Sequence, residues 1–301
     1  MLETNKYVRK LSIGNDKLVP LSDDDIHRIQ TVLLDMMSDF DAFCRENGLR
    51  YFLCSGTALG AVRHGGFIPW DEDVDVAMPR EDYDKMAALF RARYGDRYWL
   101  QDLDSGNGYN LAFTKIRKKG TRYVEIFDTD TERAGIFMDV YPLENVPDFP
   151  LWRWGHGVIS DFLHLCCSCV RAKFYQPVYH AIFEDKEALK AVKVKAALGT
   201  CLSFFSLEKW CRLTNRWAAC CKNTRSRYVT FPCGRKHYFG EMFPRAALYP
   251  LKDYPFADRR LVMMGDPTAH LTVLYGDYSV IPPKEEQERH AILELDLGEK
   301  E

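Results

Sequence analysis

Asp71, Asp73 and Asp75 occupy every second position of the run Pro69-Trp70-Asp71-Glu72-Asp73-Val74-Asp75-Val76-Ala77. Read as a strand over 71–77, they share one face, with neighbours roughly 6.5–7 Å apart. Glu72, Val74 and Val76 take the other face, where the two valines can be buried. Three like charges in a row are unfavourable unless a cation lies among them or water covers them. Oxygen ligands with few His or Cys nearby suit Mg²⁺ or Mn²⁺ better than zinc. The competing reading is a solvent-facing acidic edge strand that guards against aggregation. Just upstream, Ser55-Gly56-Thr57 leaves a short strand and enters a helix. Such a turn presents backbone N–H groups and a positive dipole end to an anion. Gly56 lets the backbone approach a phosphate, and the Thr57 hydroxyl can donate to it. Turn and carboxylates together supply the two halves of a metal–nucleotide site.

Fixed cations stabilise phosphoryl transfer. Arg63, between turn and acidic run, and Lys115 and Arg117, on one face of a strand, are candidates to contact phosphates. For each, a surface salt bridge is the alternative. His64 reads as a structural hydrogen-bonding residue, and Trp70 as packing under the acidic strand. Cys166, Cys167 and Cys169, and Cys220, Cys221 and Cys233, lack the paired spacing of a zinc site and read as small buried residues.

The elements that must position these groups follow from periodicity. Ser22 caps a helix whose apolar series is Ile26, Ile29, Leu33, Met36, Phe40 and Phe43, ended by Gly48. A strand over 49–54 precedes the phosphate turn, and a short helix over 58–63 follows, broken by Gly65-Gly66. Pro79 opens a helix whose apolar face is Tyr83, Met86, Leu89 and Phe90. Further strands are expected over 111–117 and 135–140. Mixed strands and helices imply an α/β (α+β) fold, a mixed sheet flanked by helices. The expected organisation is an N-terminal extension (1–21), a catalytic core (22–150), a helical segment (151–225) and a C-terminal portion (226–301) packed on the core.

The 301 residues carry a net charge of −2, which gives no global attraction to a polyanion and speaks against nucleic acid as a partner. Met1–Lys10 has no apolar stretch like that of a signal peptide, and ten cysteines in so long a chain read as reduced thiols, so the cytoplasm is the expected compartment. No charge-free apolar run is long enough to span a bilayer. The aromatic stretch 152–179, with lysines nearby, reads as a helical subdomain packed on the core. The alternative is peripheral contact with the inner membrane face.

The run from Ser55 to Arg80, SGTALGAVRHGGFIPWDEDVDVAMPR, resembles the signature of the LicD family, which comprises cholinephosphotransferases of bacterial surface glycans and the related fukutin-related ribitol-phosphate transferases. Phe137-Met-Asp-Val-Tyr-Pro-Leu143 and Leu274-Tyr-Gly-Asp-Tyr-Ser-Val-Ile-Pro-Pro283 resemble two later motifs of that family. Residues 151–222 match none of its motifs. The resemblance implies a nucleotidyltransferase-like core and makes Asp73, Asp75 and Asp139 the metal ligands, with Asp71 a fourth catalytic carboxylate. It further implies Mg²⁺ or Mn²⁺, a CDP-linked donor such as CDP-choline, and a glycan or lipid-linked glycan acceptor. A nucleotidyltransferase acting on a small molecule and a non-catalytic glycan- or nucleotide-binding protein are the other readings. Tyr275, Asp277 and Tyr278 either complete the pocket or lock the C-terminal turn to the core.

Overall fold

Ser22 opens the first helix, α1 (Asp23–Glu46), with a capping box: its hydroxyl accepts from the Asp25 N–H, and the Asp25 carboxylate accepts from the Ser22 N–H. All six residues of the expected apolar series on α1 are buried. The helix ends at Asn47, and Gly48 follows at φ 62°. The structure, a computed structural model, describes residues 15–106 and 108–298. Met1–Lys10 and most of the expected extension 1–21 lie outside the described residues.

The strands of the first half are β1 (Phe52–Leu53), β2 (Asp75–Pro79), β3 (Tyr98–Gln101), β4 (Thr114–Lys118), β5 (Arg122–Glu125) and β6 (Phe137–Asn145). A mixed sheet runs in the order β1-β2-β6-β4-β3, with β2 and β6 parallel and the other pairs antiparallel. β7 (Tyr228–Thr230) and β8 (Phe243–Pro244) extend this sheet from the far end of β6. β9 (Lys252–Phe256) and β10 (Arg259–Met263) form a hairpin, and β11 (Ile292–Asp296) pairs with β5. Around the sheet lie α2 (Ser55–His64), α3 (Arg80–Tyr94), α4 (Pro150–Phe174), α5 (Gln176–Ile182), α6 (Lys186–Cys201), α7 (Leu207–Ala218) and α8 (Pro267–Tyr275). This is the expected mixed α/β class, with helices α4–α7 filling the stretch read as helical.

Several expectations need correction. The acidic strand begins at Asp75 rather than Asp71. Residues 71–74 precede the ladder: the Asp71 N–H donates to Ile68 O, the Gln30 side chain donates to the carbonyls of Ile68 and Asp71, and only the Val74 carbonyl meets β6, accepting from the Asp139 N–H. Alternation nevertheless persists, with Glu72, Val74 and Val76 buried and the three aspartates half-buried. The edge-strand reading fails, because β2 lies between β1 and β6. The helix after the phosphate turn starts at Ser55, so Gly56 and Thr57 sit in its first turn. The expected strands shift to 52–53, 114–118 and 137–145, because partner strands set their ends. On α3, Met86 and Phe90 are buried with Tyr94, but Leu89 faces outward. All ten cysteines are free; Cys166, Cys167 and Cys169 are buried, whereas Cys201 and Cys220 are exposed.

The main core joins α1, the sheet and α3, with Phe43 meeting Phe90 edge-on at 5.1 Å. Leu271 of α8 and Ile292 of β11 belong to it, so the C-terminal portion completes this core. The helical segment has a smaller core of its own, in which Leu163, Cys166, Cys167 and Val170 meet Leu207, Trp210 and Cys211. Arg80, buried at the start of α3, links the two: it donates to Glu144 on β6 and to Asn215 on α7.

Candidate active site

The phosphate turn and the acidic run are joined by their backbones. The Asp75 N–H donates to the Thr57 hydroxyl at 2.8 Å, and the Cys54 N–H donates to the Asp75 carbonyl at 3.1 Å. Thr57 is thus an acceptor for β2 and keeps its own hydroxyl proton for another partner. Gly56 faces Asp71: a Cβ added at Gly56 would stand 3.1 Å from Asp71 Oδ2. Between them Ser55 is held at φ 46°, a left-handed conformation that costs a non-glycine residue about 1–2 kcal/mol. Its N–H donates to His270 Nε2 on α8 at 3.2 Å. His270 is fully buried, and burial lowers its pKa to about 4, so the ring is neutral, with its proton on Nδ1 opposite the accepting Nε2. His270→Ala removes that acceptor. It should cost on the order of 1–3 kcal/mol in denaturant unfolding, and His270→Gln should recover part of the loss. Equal stability of the parent and the alanine variant would show that the contact does not hold the turn.

Sheet register places the remaining groups. Asp75 lies opposite Asp139 across the parallel β2/β6 pair, and Asp139 lies opposite Lys115 across β6/β4. Lys115 Nζ stands 3.2 Å from Asp139 Oδ1, 3.2 Å from Glu125 Oε2, and 3.3 Å above the centre of the Phe137 ring. Despite the nearby ammonium, Asp139 Oδ1 receives no hydrogen bond. His290, which precedes β11, brings a second cation: its Nε2 lies 3.5 Å from Asp73 Oδ2 and 3.8 Å from Glu125 Oε1, and its backbone N–H donates to Glu72.

Burial first, then the neighbouring carboxylates, push Asp71 and Asp75 well above the ordinary aspartate range. Burial also raises Asp139 to about 6, against the pull of Lys115. Glu125 goes the other way: burial would raise it, but Lys115, His290 and Arg117 hold it at about 2. Carboxyls raised in this way are stabilised in their charged form by added positive charge. Among the described residues no three His, Cys, Asp or Glu side chains stand together as a finished metal cage. The donor set is nevertheless oxygen-only at Asp73, Asp75 and Asp139, and Asp139 Oδ1, though paired in charge with Lys115, accepts no hydrogen bond, which fits a hard divalent cation.

The other expected phosphate contacts are placed differently. Arg117 is buried, and its guanidinium is spent on Gln101, Asp128 and the carbonyl of Gly135, with Glu125 at 3.5 Å. It therefore backs the Lys115–Glu125 pair from inside the protein. Arg63 donates to the carbonyls of Tyr278 and Val280 and to His64 Nε2, fastening the motif 274–283 to α2. That contact is the locking role for the Tyr278 turn. Trp70 packs against the main core and meets His64 edge-on.

Residues 48–149 match the family described as LicD/FKTN/FKRP, nucleotidyltransferase domain. The chain carries a LicD-family domain. Lipopolysaccharide cholinephosphotransferase LicD of Haemophilus influenzae is 26% identical over 288 residues, covering 88% of this chain and 95% of that protein. Ribitol 5-phosphate transferase FKRP of mouse and of human is 48% identical over 48 residues, 16% of this chain and 10% of each relative. The matched LicD stretch holds Gly56, Thr57, Arg63, Lys115, Arg117 and the four aspartates. Glu125 also lies within it, but nothing in the sequence around Glu125 singled it out. His270 and His290 reach the candidate site from the C-terminal portion, and no local pattern marks either.

Proposed function

We propose that the chain is a metal-dependent phosphotransferase that moves a phosphorylcholine-type group from a CDP-activated donor to a hydroxyl of a cell-surface glycan. The observation that carries this is the row Asp75–Asp139–Lys115 meeting the Gly56-Thr57 turn. The similarity to a lipopolysaccharide cholinephosphotransferase over most of the chain supports the choice of transferred group. Asp73, Asp75 and Asp139 would hold Mg²⁺ or Mn²⁺, which when bound would neutralise charge on the donor diphosphate. The first turn of α2 would seat the donor phosphate by its N–H groups. The acceptor oxygen attacks the phosphorus that bears the head group, the bond from that phosphorus to the bridging oxygen breaks, and CMP leaves with the electron pair. The acceptor proton passes to one carboxylate of the Asp71, Asp73, Asp75 and Asp139 set.

Gly56→Val tests the turn. Its side chain would press on Asp71 and fill the approach to the N–H groups, so donor binding or turnover should fall on the order of a hundredfold, with thermal unfolding confirming that the variant is folded. Unchanged affinity and rate would reject a phosphate role for this turn.

A second reading, nucleotidyl transfer with release of pyrophosphate, is favoured by the description of the matched domain as a nucleotidyltransferase domain. It uses the same carboxylates with a different phosphorus in line. A screen of CDP-linked donors with Mg²⁺ or Mn²⁺, following CMP, separates the two.

A further inference from the structure

Helix α4 carries an apolar face that the fold leaves bare. Leu151, Trp154, Val158, Phe162 and Leu165 fall on one side of it, and each is 40% exposed or more. The stripe continues into Cys169 and Ala172, which are buried. There α6 covers it so closely that a Cβ on Gly199 would come within 2.2 Å of the Cys169 carbonyl oxygen. The uncovered part is about 21 Å long at the helical rise. The charged residues of this stretch are turned elsewhere: Arg153 donates to the carbonyls of Pro147 and Asp148, and the Asp161 carboxylate accepts from the Tyr238 N–H. A core helix apolar all round would have been covered along its length, as the sequence suggested, and this one is not.

Charge supplies a second, independent observation. Residues 150–222 hold 11 Lys and Arg against 5 Asp and Glu, in a chain whose net charge is −2. On α6, Lys186, Lys190 and Lys193 are exposed beside exposed Val194 and Leu198. We propose that this face of α4 docks the protein on the surface of an anionic lipid bilayer, with the helix lying in the interface and its basic surroundings attracted to the headgroups. Among the described residues no helix is long and apolar enough to cross a membrane, so the contact is peripheral. A second copy of the chain is the poorer occupant, because pairing through this face would bring two basic segments together. The inference stands on the surface and does not depend on the transferase reading.

The test is flotation of the full chain with vesicles of phosphatidylcholine alone or mixed with phosphatidylglycerol, at low and high salt. The wild type should float with the anionic vesicles at low salt, less so at high salt, and little with phosphatidylcholine alone. The Trp154→Ser/Phe162→Ser variant should bind at least about tenfold more weakly, since it removes two of the large apolar side chains that would enter the interface. Both side chains are exposed, so its thermal unfolding should match the wild type, and Leu89→Ser, on α3, should bind as the wild type does. Absence of vesicle binding, or equal binding by the double variant, would overturn the proposal. So would a wild-type dimer by light scattering that the double variant converts to monomer without any vesicle binding. Binding is read without turnover, so its failure and failure of the transferase reading are distinguishable.

Discussion

Asp75→Asn should lower group transfer by about a thousandfold or more, on the order of 4 kcal/mol of transition-state stabilisation, while leaving the metal-free protein at least as stable as its parent. The two effects have one cause. Asp75 sits at the start of β2 beside Asp73 and opposite Asp139, and burial and those two charges hold its carboxyl well above the ordinary range. Removing a crowded carboxylate relieves repulsion, and it also removes a ligand that a hard cation needs. Asp139→Ala should differ in the second respect. It too should abolish transfer, but it leaves buried Lys115 with Glu125 as its remaining carboxylate within 4 Å, so stability should fall. Turnover in saturating Mg²⁺ beside thermal unfolding checks both. Near-normal activity of Asp75→Asn would remove this residue from the centre of the site.

The largest effect on stability is expected at Glu144→Ala. Arg80 closes the first family-like motif and is buried, as is Glu144 near the end of β6. The guanidinium donates to Glu144 Oε1 from Nε at 2.9 Å and also from Nη2, and reaches Asn215 at 2.9 Å and Asp84 at 3.1 Å. Truncating Glu144 leaves a buried cation with an exposed Asp84 as its remaining counter-charge, a loss of about 3–5 kcal/mol. Replacing both partners, as Arg80→Met/Glu144→Leu, should cost less than the single change, because no charge is then stranded. Urea unfolding of these two variants beside the wild type tests this. A Glu144→Ala loss within about 1 kcal/mol would mean that solvent reaches Arg80.

What the sequence made legible was local. The Ser22 cap of α1 and its apolar series are set by residues three and four apart, and both stand as read. The Gly56-Thr57 turn and the alternating aspartates were visible for the same reason. The start of the hydrogen-bonded strand was not, since β6 begins at Phe137 and fixes which residue of the acidic run first enters the ladder. The row that places Asp75, Asp139 and Lys115 side by side depends on that same register. His270 and His290 arrive from the C-terminal portion through long-range packing, and no spacing announces them. How far α4 is covered was not legible either: an apolar helix looks the same whether neighbours cover it or not, and α6 covers only its second half.

The central claim is tested most directly by identifying the products formed from a CDP-linked donor and a glycan acceptor with Mg²⁺ present. CMP and a phosphodiester-modified sugar, both lost on chelation of the metal and both lost in Asp75→Asn, are the expected result. Pyrophosphate and a nucleotidylated acceptor formed from CTP or ATP, with no CMP released from any CDP-linked donor, would contradict it.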